Sequence, residues 1–206
     1  MTILHPTNSA SPLRLYGRRL MLRPLTPSDY ASWSELRIRN GDWLTKWEPT
    51  RLPTHADPVR DRDAFTARCA QRDRERQAGT GYSFGMFVGP SLVGEVNLNN
   101  VARGSLQGGS IGYWIDQKFA GQGLTAEAVV VLLRYAFAEL RLHRIEICII
   151  PRNKNSHRVV EKIGLRSEGI AISFLEINGV WEDHVRYAIT VDEWQARRQE
   201  FIERFL

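Results

Sequence analysis

Alternating hydrophobic and polar positions predict four strands in the first half of the chain. One falls within residues 14–25, where leucines alternate with arginines, and three more follow at 82–88, 91–101 and 109–116. Alternation with a period of two places the apolar side chains on one face of a half-buried sheet. We expect the last three strands to pair antiparallel, since only short segments separate them.

Helical patterns fill the rest of this half. Residues 26–29 (TPSD) combine a cap residue, a proline and an acid, which is typical of a helix start. Segment 41–55 is rich in Trp and Pro and is predicted to be a loop, whereas 58–77 predicts a polar helix. The longest predicted helix follows Gly123 and carries apolar residues at i,i+4 spacing: Leu124, Ala128, Leu132, Ala136 and Leu140.

The second half alternates between strands and helices. A strand is predicted at 143–150, and a helix at 155–163 ends at Gly164. Two strands near 166–177 and 180–190 flank Asn-Gly, which is a strong hairpin signal. A helix over about 191–205 closes the chain, so the pattern predicts a mixed α/β (α+β) domain.

A glycine-containing turn precedes the longest helix. Residues 120–128 read AGQGLTAEA, and the first amides of a helix have no partner within it, so such a turn is a common phosphate site. A dinucleotide-binding fold would carry its glycines after the first strand, and a P-loop would continue with Lys and Ser or Thr. Here several predicted strands precede the turn, which excludes the dinucleotide motif, and Gly123 is followed by Leu124, which excludes the P-loop.

Composition narrows the class of protein. The 206 residues are 43% hydrophobic and 25% charged, which is typical of one globular domain. A formal charge of +5 favours an anionic ligand or proximity to nucleic acid, unless it is simply a solvated surface. Two distant cysteines suit a reducing cytosol, and the five histidines lack metal-ligand spacing, so no metal is predicted.

Targeting signals are absent from the pattern. Residues 1–12 lack a basic start and an apolar core, so we expect a flexible tail rather than a signal peptide. The apolar run at 128–133 is too short to span a bilayer. The expected location is cytoplasmic, with no membrane contact.

The order of strand, glycine turn, helix, strand and helix resembles the GNAT family, the acetyl-CoA-dependent N-acetyltransferases. The family's turn has the form Gln/Arg-x-x-Gly-x-Gly/Ala, and the frame here runs from Ala120 to Thr125. Gly123 matches, whereas Ala120 and Thr125 depart from the pattern. The family's contacts in this turn are mostly main-chain, so these departures weaken the motif more than the chemistry.

A second segment strengthens the resemblance. Residues 151–169 resemble the Asn-x-x-Ser and Glu-Lys-x-Gly segment of the RimJ/RimL branch, which acetylates the N-termini of ribosomal proteins. The residues in frame are Asn153, Ser156, Glu161, Lys162 and Gly164. Stretches 44–51, 100–124 and 177–190 resemble the same branch, so the resemblance covers about residues 12–192.

This resemblance implies a GNAT fold. The expected architecture is a mixed, mostly antiparallel sheet of about seven strands with helices on both faces, in a single acetyltransferase domain over 13–192 followed by a C-terminal helix over 193–206. The implied cofactor is acetyl-CoA, bound between splayed fourth and fifth strands. The implied cofactor-binding residues are Trp114, Ile115, Gly121, Gln122, Gly123, Leu124, Thr125, Asn153 and Ser156.

The resemblance also implies a catalytic acid. In the family an amine attacks the thioester directly, and the leaving CoA thiolate needs a proton. Many members supply it from a Tyr seven residues after the helix Asn, a position that Val160 occupies here. The RimL-type alternative is a Ser three residues after the Asn, which points to Ser156. Its hydroxyl could instead cap the helix.

A general base is harder to find. Leu175 occupies the position of the RimL-type Glu. The remaining candidates are Glu176, which is next to it in sequence, and Glu48 and Glu95, and each could equally be structural. A protein α-amine has a pKa of about 7.7–8.0, so on the order of a tenth is neutral at pH 7. We therefore expect a weak base to be enough for an N-terminal substrate, whereas a Lys amine would need more help.

Two regions are expected to contact the acceptor. Trp47, Glu48 and Arg51 belong to the predicted acceptor-side loop, although Trp47 could be a core plug beneath it. Asp183 alternates onto the same strand face as Trp181 and matches a Trp-x-Asp signature of the family. An acid on an apolar face needs a partner, so Asp183 either orients the acceptor amine or anchors a loop.

Three functions remain open from the sequence. The first is acetyl transfer from acetyl-CoA to a protein N-terminus, with a ribosomal protein as partner and a basic surface that would help it meet ribosomes or RNA. The second is acetylation of a small amine, such as an amino acid, polyamine or aminoglycoside. The third is a non-catalytic CoA-binding or RNA-associated protein. The sequence fits a monomer or a homodimer.

Overall fold

The computed structural model describes residues 13–52 and 54–206, and these contain one eight-stranded sheet. The strands are β1 Leu15–Tyr16, β2 Met21–Arg23, β3 Tyr82–Val88, β4 Ser91–Ala102, β5 Gly108–Ile115, β6 Arg144–Ile149, β7 Arg166–Ile177 and β8 Val180–Thr190. They lie in the order β1-β2-β3-β4-β5-β6-β8-β7, and neighbouring strands are antiparallel except β5 and β6, which run parallel.

Helices connect and cover these strands. The α-helices are α1 Tyr30–Arg39, α2 Gly41–Leu44, α3 Arg62–Ala78, α4 Leu124–Ala138, α5 Lys154–Ile163, α6 Val191–Ala196 and α7 Arg198–Phe205. Short 3₁₀ turns cover Pro27–Asp29, Thr45–Trp47 and Gln117–Phe119. The tail predicted over residues 1–12 lies outside the described residues.

The strand predicted within residues 14–25 is a hairpin of two short strands, β1 and β2. The Gly17 amide donates to the Leu20 carbonyl at 2.9 Å and closes the turn. A Cβ atom at Gly17 would lie 2.7 Å from Oε1 of Glu127, so the hairpin approaches α4 because this residue is glycine. The split explains why eight strands form where about seven were predicted.

Two other predicted segments differ from the structure. Segment 41–55 is not only a loop, because it begins with α2 and a 3₁₀ turn. The C-terminal helix divides at Arg197, whose φ of −110° and ψ of 10° interrupt the helix. Its guanidinium donates to the carbonyls of Ile163 and Gly164, each at 2.8 Å, and so ties α7 to the end of α5.

The main core lies between the sheet and α4. Twelve of the fifteen α4 residues are buried, and all of these except Thr125 and Glu127 belong to one cluster with Val96, Leu98 and Ile111 of the sheet. A second cluster packs Trp33 of α1 and Phe65 of α3 against the sheet. Helices therefore cover both faces, which confirms the predicted fold. No helix among residues 13–52 and 54–206 is long and apolar enough to cross a membrane.

The two parallel strands diverge soon after they meet. Pairing of β5 with β6 is confined to Gly108–Ser110 opposite Arg144–Glu146. Both strands continue, β5 to Ile115 and β6 to Ile149, without pairing to each other. This divergence opens a gap in the sheet and leaves one edge of β5 free, as the sequence resemblance implied for the fourth and fifth predicted strands.

Candidate active site

The gap between β5 and β6 continues into a cleft of about 1340 Å³. The N-terminus of α4 and the first turn of α5 form one end of the cleft. Residues 43–51 and the β7–β8 hairpin form the other end. Residues 43–51 and the hairpin are joined by a hydrogen bond of 2.9 Å from the Asn178 amide to the Glu48 carbonyl.

The glycine turn at the α4 end has the geometry of an anion site. Gly121 and Gly123 have φ of 78° and 79°, in the left-handed region that favours glycine. The first hydrogen bond from the helix to the turn joins the Glu127 amide to the Gly123 carbonyl at 3.1 Å. The preceding amides, including those of Leu124 and Thr125, therefore have no acceptor within the helix.

Two cations flank this turn. Nζ of Lys162 lies 2.6 Å from the position that a Cβ of Gly123 would occupy, and a terminal nitrogen of Arg19 lies 3.6 Å from the same point. Free amides, a helix N-terminus and two cations fit the pyrophosphate of CoA, and the absent glycine side chain leaves the space for it. Lys162 falls in frame with the family segment, but neither its role at the turn nor that of Arg19 could be predicted, because both reach the turn through contacts between distant segments.

A buried carboxylate holds the turn in position. Glu127 accepts hydrogen bonds from the Arg19 amide at 2.6 Å, the Leu20 amide at 3.2 Å and Nε of Arg19 at 2.8 Å. Arg19 also donates to the Gln122 carbonyl at 3.0 Å. These protein donors offset the negative charge of the Glu127 carboxylate, so it does not repel an anion at the start of α4. The Gln122 side chain donates to the Lys118 carbonyl at 3.2 Å, and Gln122 does not line the cleft, unlike Gly121 and Gly123.

The free edge of β5 supplies Trp114 and Ile115 to the cleft, as expected. The Ile115 carbonyl accepts a hydrogen bond from the Trp43 indole at 3.1 Å. The Trp114 ring lies 5.2 Å from the Arg37 guanidinium. Side chains of α1 and α2 thus contact this edge.

Ser156 lines the cleft at the start of α5 and does not cap the helix. The N-cap is Asn153, whose side-chain oxygen accepts from the Ser156 amide at 3.2 Å. The alternative that the Ser156 hydroxyl is the cap is therefore wrong. Tyr113 donates to the Ser156 carbonyl at 3.1 Å, and burial raises the pKa of the Tyr113 hydroxyl. Among the described residues, no partner occupies the Ser156 hydroxyl.

The carboxylates in the cleft are already paired. Glu48 receives two hydrogen bonds from Arg37, at 2.6 and 2.5 Å. Glu95 is 1% exposed and accepts from the Trp33 indole and from Arg68. Charge-assisted hydrogen bonds thus hold both carboxylates on arginine donors. This geometry does not favour Glu48 or Glu95 as a general base.

Glu176 and Asp183 lie outside the cleft. Glu176 is exposed and paired with Trp181 across the hairpin, while the neighbouring Leu175 lines the cleft. Asp183 accepts a hydrogen bond of 2.8 Å from the Ser173 amide and so holds a bulge where Ser173 has φ of 45°. The face assigned to Asp183 is not a buried apolar one, because Trp181 is 63% exposed there.

The loop residues lie at the cleft rim. Arg51 donates to the His55 carbonyl at 2.9 Å and is 3.5 Å from the Asp57 carboxylate. Trp47 is half-buried, with the guanidinium of Arg152 4.9 Å from its ring, and is absent from both buried core clusters. The core-plug alternative for Trp47 is therefore not supported.

His184 is a cleft residue that the sequence analysis did not assign. It is 3% exposed, lines the cleft and lies on β8 next to Asp183. The alternation of β8 could have placed it on the opposite face from Asp183, but which face is buried depends on the strand's neighbours. No group of three His, Cys, Asp or Glu side chains in the described part of the chain is arranged to hold a metal ion.

This fold and cleft define an acyl-CoA-dependent transferase, and the comparison with family models agrees. Residues 19–166 match the model described as an acetyltransferase (GNAT) domain, which is more than half of the chain. The chain belongs to the GNAT family and is an acetyl-CoA-dependent acetyltransferase.

Its relatives are close enough to align over nearly their whole length. The protein named "Probable N-acetyltransferase YjcK" of Bacillus subtilis (strain 168) is 37% identical over 85% of this chain and 96% of its own. The ribosomal protein uS5-alanine N-acetyltransferase of Escherichia coli (strain K12) is 32% identical over 90% and 95%. The structure of Mycobacterium smegmatis RimJ in complex with CoA-disulfide matches with a TM-score of 0.78 and 29% identity, over 91% and 94%. The resemblance to the RimJ/RimL branch is confirmed.

Proposed function

We propose that this enzyme transfers the acetyl group of acetyl-CoA to the α-amine at the N-terminus of a ribosomal protein. The observation that carries the proposal is the cleft of about 1340 Å³, which is lined both by the glycine turn and by residues 43–51 with the hairpin. Small-ligand pockets measure about 300–1,000 Å³. The larger cleft leaves room for a cofactor at one end and an extended peptide at the other.

Relatives support the choice of acceptor. The Escherichia coli relative at 32% identity is named for alanine acetylation of ribosomal protein uS5, and a second Escherichia coli relative, 27% identical over 56% of this chain, is named ribosomal-protein-serine acetyltransferase. The net charge of +5 would favour approach to a ribosome, since cationic surfaces gain free energy at RNA phosphates.

The charges in the cleft disfavour a polycationic acceptor. Its lining carries seven Arg and Lys side chains against three acids. Each acid is paired with an arginine: Glu48 with Arg37, Asp57 with Arg51 and Glu95 with Arg68. A polyamine or aminoglycoside would therefore meet net positive charge with no free carboxylate in this cleft. An α-amine fits better because on the order of a tenth of it is already neutral at pH 7.

The residues of the chain divide the chemical work. Acetyl-CoA supplies the thioester carbonyl that the amine attacks. The main-chain amides from Gly121 to Thr125, with Lys162, would bind the pyrophosphate, and the β5 edge near Trp114 and Ile115, which has no strand partner there, would lie along the pantetheine. The unpartnered Ser156 hydroxyl would donate a proton to the leaving sulfur. Asn153 supports this role by fixing the Ser156 main chain.

The proposal is tested by acetyl transfer to a panel of amines, with released CoA thiol as the readout. The panel holds peptides with free Ala or Ser N-termini, the same peptides N-blocked with an internal Lys, and amino acids, polyamines and aminoglycosides. We expect turnover on free N-termini only. Turnover confined to small amines would refute a protein substrate, and CoA binding without turnover on any amine would refute an enzymatic function.

Ser156→Ala tests the catalytic acid separately. We expect kcat to fall on the order of 10²-fold, at the low end of the range for a general acid because water can replace a hydroxyl. Ser156→Thr keeps the hydroxyl and is the matched control. A Ser156→Ala enzyme with unchanged kcat and normal CoA affinity would remove Ser156 from the mechanism.

A further inference from the structure

A buried imidazole lies on the acceptor side of the cleft. His184 is 3% exposed and lines the cleft together with Leu175 and Asn178 of the same hairpin. The pairing of β8 with β6 ends at Val185 opposite Ile149, so His184 stands one residue beyond it, where β6 has turned away from β5. His184 therefore lies where the β7–β8 hairpin meets the gap between β5 and β6.

One ring nitrogen is committed to the main chain and the other is not. Nδ1 of His184 lies 3.0 Å from the Glu182 carbonyl, which can only accept, so Nδ1 carries the proton. Nε2 then holds a lone pair and has no hydrogen-bond partner within residues 13–52 and 54–206. Nε2 is not fully buried, and because His184 lines the cleft, this nitrogen remains open to the cleft.

The surroundings keep this ring in place without consuming its lone pair. Phe174 of β7 packs edge-on against the imidazole, with ring centroids 5.7 Å apart. The charged neighbours on the same face of β8 are Glu182, paired with Arg152, and Arg186, 3.6 Å from the Glu146 carboxylate. From the other elements, Cys148 of β6 lines the cleft with its thiol pKa raised by burial, and Glu48 is paired with Arg37.

We propose that His184 is the general base that accepts a proton from the acceptor amine. This inference rests on the proposed function, because it assumes an amine at the acceptor end of the cleft. As the amine nitrogen bonds to the acetyl carbon and the carbon–sulfur bond breaks, Nε2 of His184 takes the proton that the nitrogen loses. Ser156 gives a proton to the sulfur, and both side chains exchange with solvent, so the net products are the amide and CoA thiol.

His184 fits the role better than the carboxylates considered above. A base must be unprotonated, within reach of the amine and not stabilised by a cation. Glu48 and Glu95 lie in the cleft but are held by Arg37 and Arg68, and Glu176 lies outside it. The Nδ1 hydrogen bond to the main chain orients the ring and leaves the second nitrogen as its proton acceptor.

His184→Asn tests the proposal, because the Asn amide can keep the hydrogen bond to the Glu182 carbonyl while the Nε2 lone pair is lost. We expect kcat/KM to fall on the order of 10²- to 10⁴-fold, with CoA affinity by calorimetry unchanged. Against pH, log kcat/KM for the wild type should rise with a slope of two at pH values below both titrations, those of the base and the amine. The variant should rise with a slope of one.

His157→Asn is the matched control. Both of its ring nitrogens are committed, Nδ1 to the Tyr187 hydroxyl at 3.0 Å and Nε2 to the Ile150 carbonyl at 3.2 Å. It should keep the slope of two. In imidazole NMR spectra of the CoA-bound enzyme, adding a free Ala-peptide should shift the His184 signal and leave the His157 signal in place.

Three results would overturn the assignment. They are a His184→Asn enzyme within twofold of the wild type, an unchanged slope of two in that variant, and a His184 signal that does not respond to the peptide. If free N-terminal peptides are not acetylated at all, the proposed function fails instead. The same comparison of His184 and His157 is then made with whichever amine the enzyme accepts.

Discussion

Replacing Gly123 by alanine should weaken CoA binding through the backbone of the glycine turn. Gly123 has φ of 79°, and its added Cβ would lie 2.6 Å from Nζ of Lys162. A residue with a Cβ pays about 1–2 kcal/mol to stay in the left-handed region. The unliganded turn can relax away from this strain, and CoA must then restore the strained geometry to meet the amides.

The size of the effect follows from that strain. If the whole of about 1–2 kcal/mol is subtracted from binding, Kd rises roughly 5- to 30-fold. Gly121→Ala has nearly the same φ of 78° but meets nothing within 4 Å, so it carries the backbone strain alone. The excess effect at Gly123 then measures the displacement of Lys162.

Calorimetry of CoA binding to purified variants checks this reasoning. Gly104, in the β4–β5 turn, has φ of 67° and open space around it. Gly104→Ala should therefore lose about as much folding stability as the glycine-turn variants without losing CoA affinity. A Gly123→Ala enzyme with Kd within twofold of the wild type would refute the role of the turn. Equal weakening by Gly104→Ala would show that the effect is general destabilisation.

Three further predictions concern charges. Lys162→Met should weaken CoA binding roughly tenfold, with a shallower dependence on salt, as titrations at two ionic strengths would show. Glu127→Gln should lower the free energy of unfolding by about 1–3 kcal/mol, because it weakens the acceptor of the Arg19 hydrogen bonds; an unchanged urea midpoint would contradict this. The hydrogen bond from Arg144 lowers the pKa of Glu168 to about 2. Glu168 therefore stabilises the fold above its ordinary pKa of 4.5 and stops doing so as the pH falls toward 2. Glu168→Gln should remove that part of the acid dependence of Tm.

Most secondary structure could be predicted because its signals are local. The period-two alternation of β3, β4 and β5, the apolar repeat of α4 and the Asn-Gly hairpin turn all lie within short windows of sequence. The failures are not local in kind. The first predicted strand folds back at Gly17, where Glu127, more than a hundred residues away in sequence, lies beside the turn.

The glycine turn could be predicted for the same reason, since its amides need only the backbone of Gly121 to Thr125. Its cations could not, because Lys162 and Arg19 reach it from α5 and from the β1–β2 hairpin. The arginines that pair with the cleft carboxylates could not be predicted from the sequence either. Arg37 and Glu48 lie 11 residues apart and Arg68 and Glu95 lie 27 apart, so no spacing rule connects them.

The sequence by itself determined the family, the fold and the position of the glycine turn, because periodicity and main-chain geometry are properties of contiguous residues. The tertiary structure alone decided which side chains remain free in the cleft. Strand pairing placed Leu175 rather than Glu176 at the cleft and buried His184 with one nitrogen open. Proton transfer depends on such unpartnered groups, and a group is unpartnered only in relation to everything folded around it.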